Sequence, residues 1–280
     1  MKLLRTVEEL KLFVREARQA GKTIGMVPTM GYLHEGHQSL MKQARIENDV
    51  VIVSDFVNPI QFGPNEDYET YPRDLERDIG MAEAQGVDAV FAPSVEEMYP
   101  THYASYVSVE ELTDKLCGLQ RPGHFRGVCT VVIKLFNLSD ADRAYFGKKD
   151  IQQLMIIRRM VQDLNLKVDI IGMPIIREED GLAKSSRNKY LSESQRRDAT
   201  VLHRALKHAE TMIEAGETSA ETLIKAMREQ IVSVPCEIDY IQIVDRESLK
   251  DTDSVEKPSI IALAVKFGTT RLIDNMTVRF

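Results

Sequence analysis

The stretch Thr23-Ile-Gly-Met-Val-Pro-Thr-Met-Gly-Tyr-Leu-His-Glu-Gly-His37 decides the fold. Its first six residues form a short apolar run closed by Pro28. Two glycines and two histidines follow, and from His37 to Glu47 the apolar residues Leu40, Met41 and Ala44 recur at helical spacing. That order reads as strand, loop, helix. The next apolar run, Asp49-Val-Val-Ile-Val-Ser-Asp-Phe56, is rich in β-branched residues and lacks clean alternation, as a parallel strand covered on both faces should. The opening unit is therefore βαβ.

The alternation continues outward from this unit. A helical stretch from about Arg73 to Gln85 precedes the run Ala89-Val-Phe-Ala92. A helical stretch near Val128 to Leu138 precedes Ala144-Tyr-Phe146, and a helix from Ile151 to about Leu164 precedes a strand from Lys167 to Ile171. An open, mostly parallel α/β sheet is expected. After about Ile176 the texture changes: Asp180-Gly181 marks a turn, and helical stretches run from about Glu193 to Ala215 and from Ala220 to Ile231. Apolar runs at Ile238 to Val244, Ile260 to Phe267 and Thr270 to Ile273 then follow with no helix long enough for a crossover, which predicts a small antiparallel sheet. Two domains are expected, residues 1–176 and 177–280. The acidic stretch Asp251 to Glu256 reads as a solvated loop.

Composition narrows the class of function. With 280 residues, 43% of them hydrophobic, the chain can bury a large core. Its 36 basic and 43 acidic side chains give a formal charge of −7, which speaks against a phosphate-backbone partner and leaves room for a few cations around one nucleotide. Cys117, Cys129 and Cys236 are scattered, with no CxxC pair and no zinc-like histidine spacing, so a reducing cytoplasm is expected and structural zinc is not. The amino-terminal stretch has the charges of an amphipathic helix, and no apolar run approaches the ~20 residues that span a bilayer. No membrane and no nucleic acid is expected.

Five segments can carry chemistry. Pro28 to His37 lies between a strand and a helix amino terminus, where free amides, the helix dipole, Gly31, Gly36 and the imidazoles of His34 and His37 suit an anion, although an exposed turn would look the same. Leu182-Ala-Lys184-Ser185-Ser186-Arg187 sets two hydroxyls between two cations, a composition fit for phosphate or for plain solvation. In Phe146-Gly147-Lys148-Lys149-Asp150, Asp150 can cap a helix, while Gly147 and the lysines suit ribose and phosphate contacts. Phe56-Val-Asn58-Pro59-Ile-Gln61-Phe62 offers amides to a polar substrate. Arg121-Pro-Gly-His124-Phe-Arg126-Gly127 reads as a turn-rich basic loop that can face an anion, an acidic neighbour or water.

The HxGH and KSSR segments together resemble the paired signatures of nucleotidyl transferases and class I aminoacyl-tRNA synthetases. More specifically, PTMGYLHEGH, FVNPIQFGPNEDYETYPR, FAPSVEEMYP, RPGHFRG, YFGKKDIQQ, DGLAKSSRN and RLIDN resemble, in order, the signature segments of the pantothenate synthetase family. That resemblance implies a Rossmann-like, mostly parallel sheet with a smaller α+β carboxyl-terminal lid domain, usually as a homodimer. It implies ATP and Mg²⁺, with pantoate and β-alanine joined through a pantoyl-adenylate. By position it places Met30, Gly31, Tyr32, Leu33, His34, Glu35, Gly36 and His37 along the ATP site, with His37 as proton donor and His34 beside it on the phosphates. Gln61 and Gln153 would hold pantoate. Gly147 and Asp150 would meet the ribose, Lys148 and Lys149 the nucleotide phosphates, Ile176 the adenine region, and Lys184, Ser185, Ser186 and Arg187 the triphosphate. Metal ligands are not implied by any segment. Two positions depart from the pattern: Asp55, where an apolar residue is expected, and Cys117, where an acidic one is common. A nucleotidyl transferase releasing an adenylated product is the rival reading, separated by whether AMP formation needs the amine.

Overall fold

The computed structural model describes residues 1–64 and 66–278. The chain divides into two compact units. One comprises Met1–Thr113, Arg121–Lys148 and Gln153–Pro174, and the other Asp114–Gln120, Lys149–Gln152 and everything from Ile175 onward.

In the first unit the elements follow as β1 (Lys2–Leu4), α1 (Val7–Gln19), β2 (Ile24–Thr29), α2 (Glu35–Glu47), β3 (Val50–Asp55), α3 (Leu75–Glu83), β4 (Ala89–Phe91) and α4 (Val95–Met98). After α5 (Leu116–Gln120), which groups with the second unit, come α6 (His124–Ser139), β5 (Arg143–Gly147), α7 (Ile151–Asp163) and β6 (Asp169–Met173). The six strands order as β1-β4-β3-β2-β5-β6, and every pairing is parallel. Ile24, Met26, Val27, Val51, Ile52 and Val53 are fully buried, which is why β2 and β3 read as unbroken apolar runs. From β2 the chain passes to β3 on one side and later to β5 on the other. The loop after β2 therefore opens at the point where strand order reverses, the place where doubly wound sheets bind ligands.

Several expected boundaries shift for local reasons. Strand β6 starts at Asp169, two residues later than expected, because its register pairs Asp169 with Arg143. Helix α6 starts at His124, capped by Gly123 in the left-handed region (φ 84°), so the segment read as a basic loop is half turn and half helix. The three-residue β1 is too short for periodicity to reveal.

In the second unit, after the short α8 (Glu193–Asp198), α9 (Val201–Glu214) and α10 (Ala220–Ile231) cover β7 (Glu237–Asp245), β8 (Ser259–Phe267) and β9 (Thr270–Val278), an antiparallel sheet in the order β7-β8-β9. The first expected helix is two, broken at Ala199 and Thr200. The acidic stretch keeps its carboxylates in solvent, with Asp251, Asp253 and Glu256 all exposed, while the buried Val255 and a bond from the Ala220 amide to the Asp253 carbonyl pin its backbone at the start of α10. Cys117 lies 3.1 Å from the Tyr240 hydroxyl and 3.7 Å from both terminal nitrogens of Arg271, so here a thiol fills the place beside a guanidinium. No helix among the described residues is long and apolar enough to cross a membrane.

Candidate active site

The loop after β2 is built by backbone bonds before any ligand is considered. Thr29 Oγ1 donates to the Ser54 carbonyl and accepts from the Gly31 amide, which ties the ends of β2 and β3 to the turn. Gly31 (φ 78°) and Tyr32 (φ 50°) are both left-handed, an arrangement that glycine enters freely and tyrosine only when held. Asp78 holds it. Its carboxylate, on α3 and 1% exposed, accepts from the Tyr32 amide at 2.5 Å and the Leu33 amide at 2.7 Å. Arg77 adds a bond from Nη2 to the Leu33 carbonyl at 2.9 Å and lies over the Tyr32 ring.

Out of this turn α2 begins with an unusual cap made of two histidines. His34 is the N-cap residue, and its Nδ1 accepts from the Gly36 amide at 3.1 Å. The His37 Nδ1 reaches back to accept from the His34 amide at 3.2 Å, and the two rings lie against each other with centroids 4.1 Å apart and planes inclined at 38°. An Nδ1 that accepts carries no proton, so the neutral rings hold theirs on Nε2. Backbone geometry thereby fixes both tautomers, and two imidazole N–H donors sit with the positive end of the α2 dipole. Glu35 is the first residue of the helix.

Beneath the turn, Asp55 closes β3 against Gly31. A Cβ on Gly31 would stand 2.2 Å from Asp55 Oδ1 and 3.2 Å from Asp78 Oδ2, so only glycine fits. Burial, reinforced by the charge of Asp78, pushes the Asp55 carboxyl up to about 7. Burial also raises Asp78, against the opposing pull of the Leu33 and Tyr32 amides and of Arg77.

Gln61 is 8% exposed and ends the 3₁₀ turn Pro59–Gln61, where it is braced on several sides. Its Oε1 accepts from Asn58 Nδ2 at 3.0 Å, its Nε2 approaches Met30 Sδ at 3.0 Å, and its carbonyl lies 2.8 Å from His124 Nδ1. Asn58 in turn donates to the Gly127 carbonyl and accepts from the Tyr99 hydroxyl. His124 is backed by Arg121, whose Nε donates to Glu66 at 2.7 Å. The basic segment therefore faces an acidic neighbour of its own unit and a backbone carbonyl.

In the second unit, Lys149 and Asp150 form an ion pair at 3.6 Å, and the Lys149 carbonyl accepts from Asn275 Nδ2 at 2.8 Å. Arg177 is gripped by both oxygens of Asp274, which is 2% exposed, and donates to the Gly181 carbonyl. The Ile176 carbonyl accepts from the Lys184 amide, while Lys184 Nζ lies 3.0 Å from Glu178. Ser185 caps the 3₁₀ turn Ser186–Tyr190 by accepting from the Arg187 amide at 3.3 Å. Neighbouring residues 274 and 275 of β9 thus anchor two segments far apart in sequence.

The structure places Met30 to His37 on one loop and helix start, with Gln61 touching Met30. Gly147 ends β5, Lys148 opens the 3₁₀ turn that closes at Asp150, and Gln153 lies on α7. Asn58, expected to offer its amide to a substrate, instead bonds Gln61 and Gly127, and the supporting residues Glu66, Arg77, Asp78, Tyr99, Asp274 and Asn275 carry no role in the sequence. The DN pair of RLIDN is the visible signal for the last two. Among the described residues, no group of three or more His, Cys, Asp or Glu side chains is arranged to hold a metal ion.

A family model described as pantoate-beta-alanine ligase matches residues 2–277. The chain is 58% identical over 278 residues to a pantothenate synthetase of Fervidobacterium nodosum, covering 99% of each chain. The crystal structure of pantothenate synthetase from Thermus thermophilus superposes with a TM-score of 0.94 at 47% identity, again over 99% of each. The pantoate-beta-alanine ligase of Francisella tularensis, solved with a β,γ form of ATP and β-alanine, matches with a TM-score of 0.80 at 36% identity, over 99% of this chain and 97% of that one.

Proposed function

The chain belongs to the pantoate-beta-alanine ligase family, and from that membership we infer that it is an ATP-dependent ligase condensing (R)-pantoate with β-alanine to pantothenate, releasing AMP and pyrophosphate. The observation that carries the chemistry is the histidine cap on α2. Two Nε2–H donors of fixed tautomer at a helix amino terminus are suited to charge that builds on phosphoryl oxygens.

In the first step the pantoate carboxylate attacks the α-phosphorus of ATP, and the bond to pyrophosphate breaks. His37 donates to the phosphoryl oxygen as charge develops, with His34 beside it. Lys149, Ser185, Ser186 and Arg187 are assigned to the phosphates that leave, Lys148 and Lys184 to nucleotide charge, Gly147 and Asp150 to the ribose, and Ile176 to the adenine. Gln61 and Gln153 orient pantoate. The bracing of the Gln61 side chain by Asn58 at Oε1 and Met30 at Nε2 supports that assignment, because an amide held at both ends keeps one orientation. No covalent enzyme intermediate is needed, since the mixed anhydride is already reactive toward the β-alanine amine.

Mg²⁺ is expected to arrive on the triphosphate, where divalent ions keep most of their water and few protein ligands. The donor groups among the described residues offer no protein cage for it, so no step is routed through it. A homodimer and a cytoplasmic location complete the reading. The three unpaired cysteines support the latter. The deciding experiment is pyrophosphate and AMP formation with pantoate and β-alanine supplied separately and together. AMP release that needs both acids supports ligation, and a stable adenylated product formed without the amine refutes it.

A further inference from the structure

Asp55 and Asp78 lie against the same point of the Gly31 turn, with Asp55 Oδ1 and Asp78 Oδ2 at 2.2 and 3.2 Å from the position a Gly31 Cβ would take. Asp78 uses both oxygens as acceptors of main-chain amides. Asp55 Oδ2 is buried and has no donor among the described residues. Were Asp55 ionised, that oxygen would be desolvated and unbonded beside a second negative charge. As a carboxylic acid it becomes a donor, and Asp78 is the acceptor at hand. The charged groups facing the pair are Arg77, whose Nη1 lies 3.5 Å from Asp78 Oδ1, and Arg5, which acts on Asp55.

We propose that Asp55 and Asp78 share one proton, and that the protonated pair is a positioning device that holds the Gly31 to Leu33 turn and, through it, the histidine cap on α2. Asp55 donates, Asp78 accepts from Asp55 and from two amides, and neither touches a reactant. The shared proton is what lets two acidic groups sit under a turn whose left-handed residues depend on one of them. Losing it places two negative charges behind Gly31, where the backbone is too close for either to move without the turn moving. The burial that lifts Asp55 to about 7 sets the window. The pair keeps its proton below that pH and loses it above. The kinetic part of this inference rests on the adenylation reading; the proton itself does not.

The test uses the intact chain labelled with carbon-13 at aspartate carboxyls, titrated by NMR, beside single-turnover pyrophosphate formation from ATP and pantoate across the same pH range. One carboxyl should stay protonated at about pH 6 and titrate near neutrality, and its signal should vanish in Asp55→Asn. The rate should decline as pH rises through about 7, by at most about tenfold per pH unit. In Asp55→Asn, whose amide replaces the shared proton as donor, the rate at about pH 6 should persist and the alkaline decline should disappear. A merely structural role would alter stability and leave the decline in place. An Asp55 carboxyl already ionised at about pH 6, or an unchanged decline in Asp55→Asn, overturns the proposal. Should Asp55→Asn not fold, the titration of the unsubstituted chain still decides it. If that chain makes no pyrophosphate at any pH, the functional reading fails and the carboxyl titration stands alone.

Discussion

Gly127 on α6 packs directly onto the backbone of Gln61: a Cβ at 127 would stand 2.6 Å from the Gln61 nitrogen and Cα and 2.4 Å from the Ile60 carbonyl oxygen. The helix can seat the Pro59–Gln61 turn only because that side chain is missing. Gly127→Ala should therefore push the turn outward, at about 1–3 kcal/mol of overpacking strain. Displacing Gln61 by a fraction of an ångström should raise KM for pantoate more than KM for ATP. Steady-state kinetics with each substrate varied checks this, and equal changes in both would count against the role given to Gln61.

His37→Ala should slow pyrophosphate formation by at least ~100-fold, since one preorganised donor to a developing oxyanion is worth about 3 kcal/mol. The His34 amide also loses its acceptor in this variant. His37→Asn offers an acceptor at a similar place and should regain helix stability without regaining rate. Thermal unfolding and single-turnover assays of the two variants separate capping from catalysis.

Asn58→Ala should act like a mild Gln61 variant. Asn58 Nδ2 bonds both Gln61 Oε1 and the Gly127 carbonyl, so its loss frees the Gln61 amide to rotate. Pantoate use should fall while nucleotide affinity, read by calorimetry, holds. A collapse of ATP binding would show that the turn belongs to the nucleotide instead.

Asp274→Ala leaves the Arg177 guanidinium without its carboxylate. The cost should be about 3 kcal/mol, the low end for a broken buried pair because Arg177 keeps some solvent. Chemical denaturation should show it, and ATP affinity should weaken together with stability because the Arg177 to Lys184 segment is loosened.

Stability should carry the mark of Asp55 with a definite sign. Its folded-state pKa is raised from 3.8 to about 7. Below the unfolded value both states hold the proton and nothing is lost. As pH climbs through that window the folded state alone retains it, so folding stability falls until about pH 7 and levels beyond. The melting temperature of Asp55→Asn minus that of the unsubstituted chain should therefore grow with pH over this interval, a difference in which the titrations of groups remote from the Asp55–Asp78 pair cancel. A difference that shrinks with pH would reverse the assignment.

The parallel sheet is legible in the sequence because β2 and β3 are buried on both faces and read as apolar runs, and the three final strands because no crossover separates them. Strand β1 is not, since three residues carry no period, and the break at Ala199 and Thr200 is not, since helical spacing continues across it. At the site, the chemistry-bearing side chains stand out by type and spacing. Their supports do not: Asp78 bonds the amide of Leu33, 45 residues back, and Asn275 the carbonyl of Lys149, 126 residues back, links set by the fold rather than by any local pattern. Asp55 reads as a packing irregularity in the sequence, and only the Gly31 turn above it gives the carboxyl a purpose.

Because Asp274 and Asn275 are neighbours on β9, one strand of the small sheet tethers both the Arg177 segment and the Lys149 carbonyl. Hydrogen–deuterium exchange should then register those two distant stretches as a single opening event.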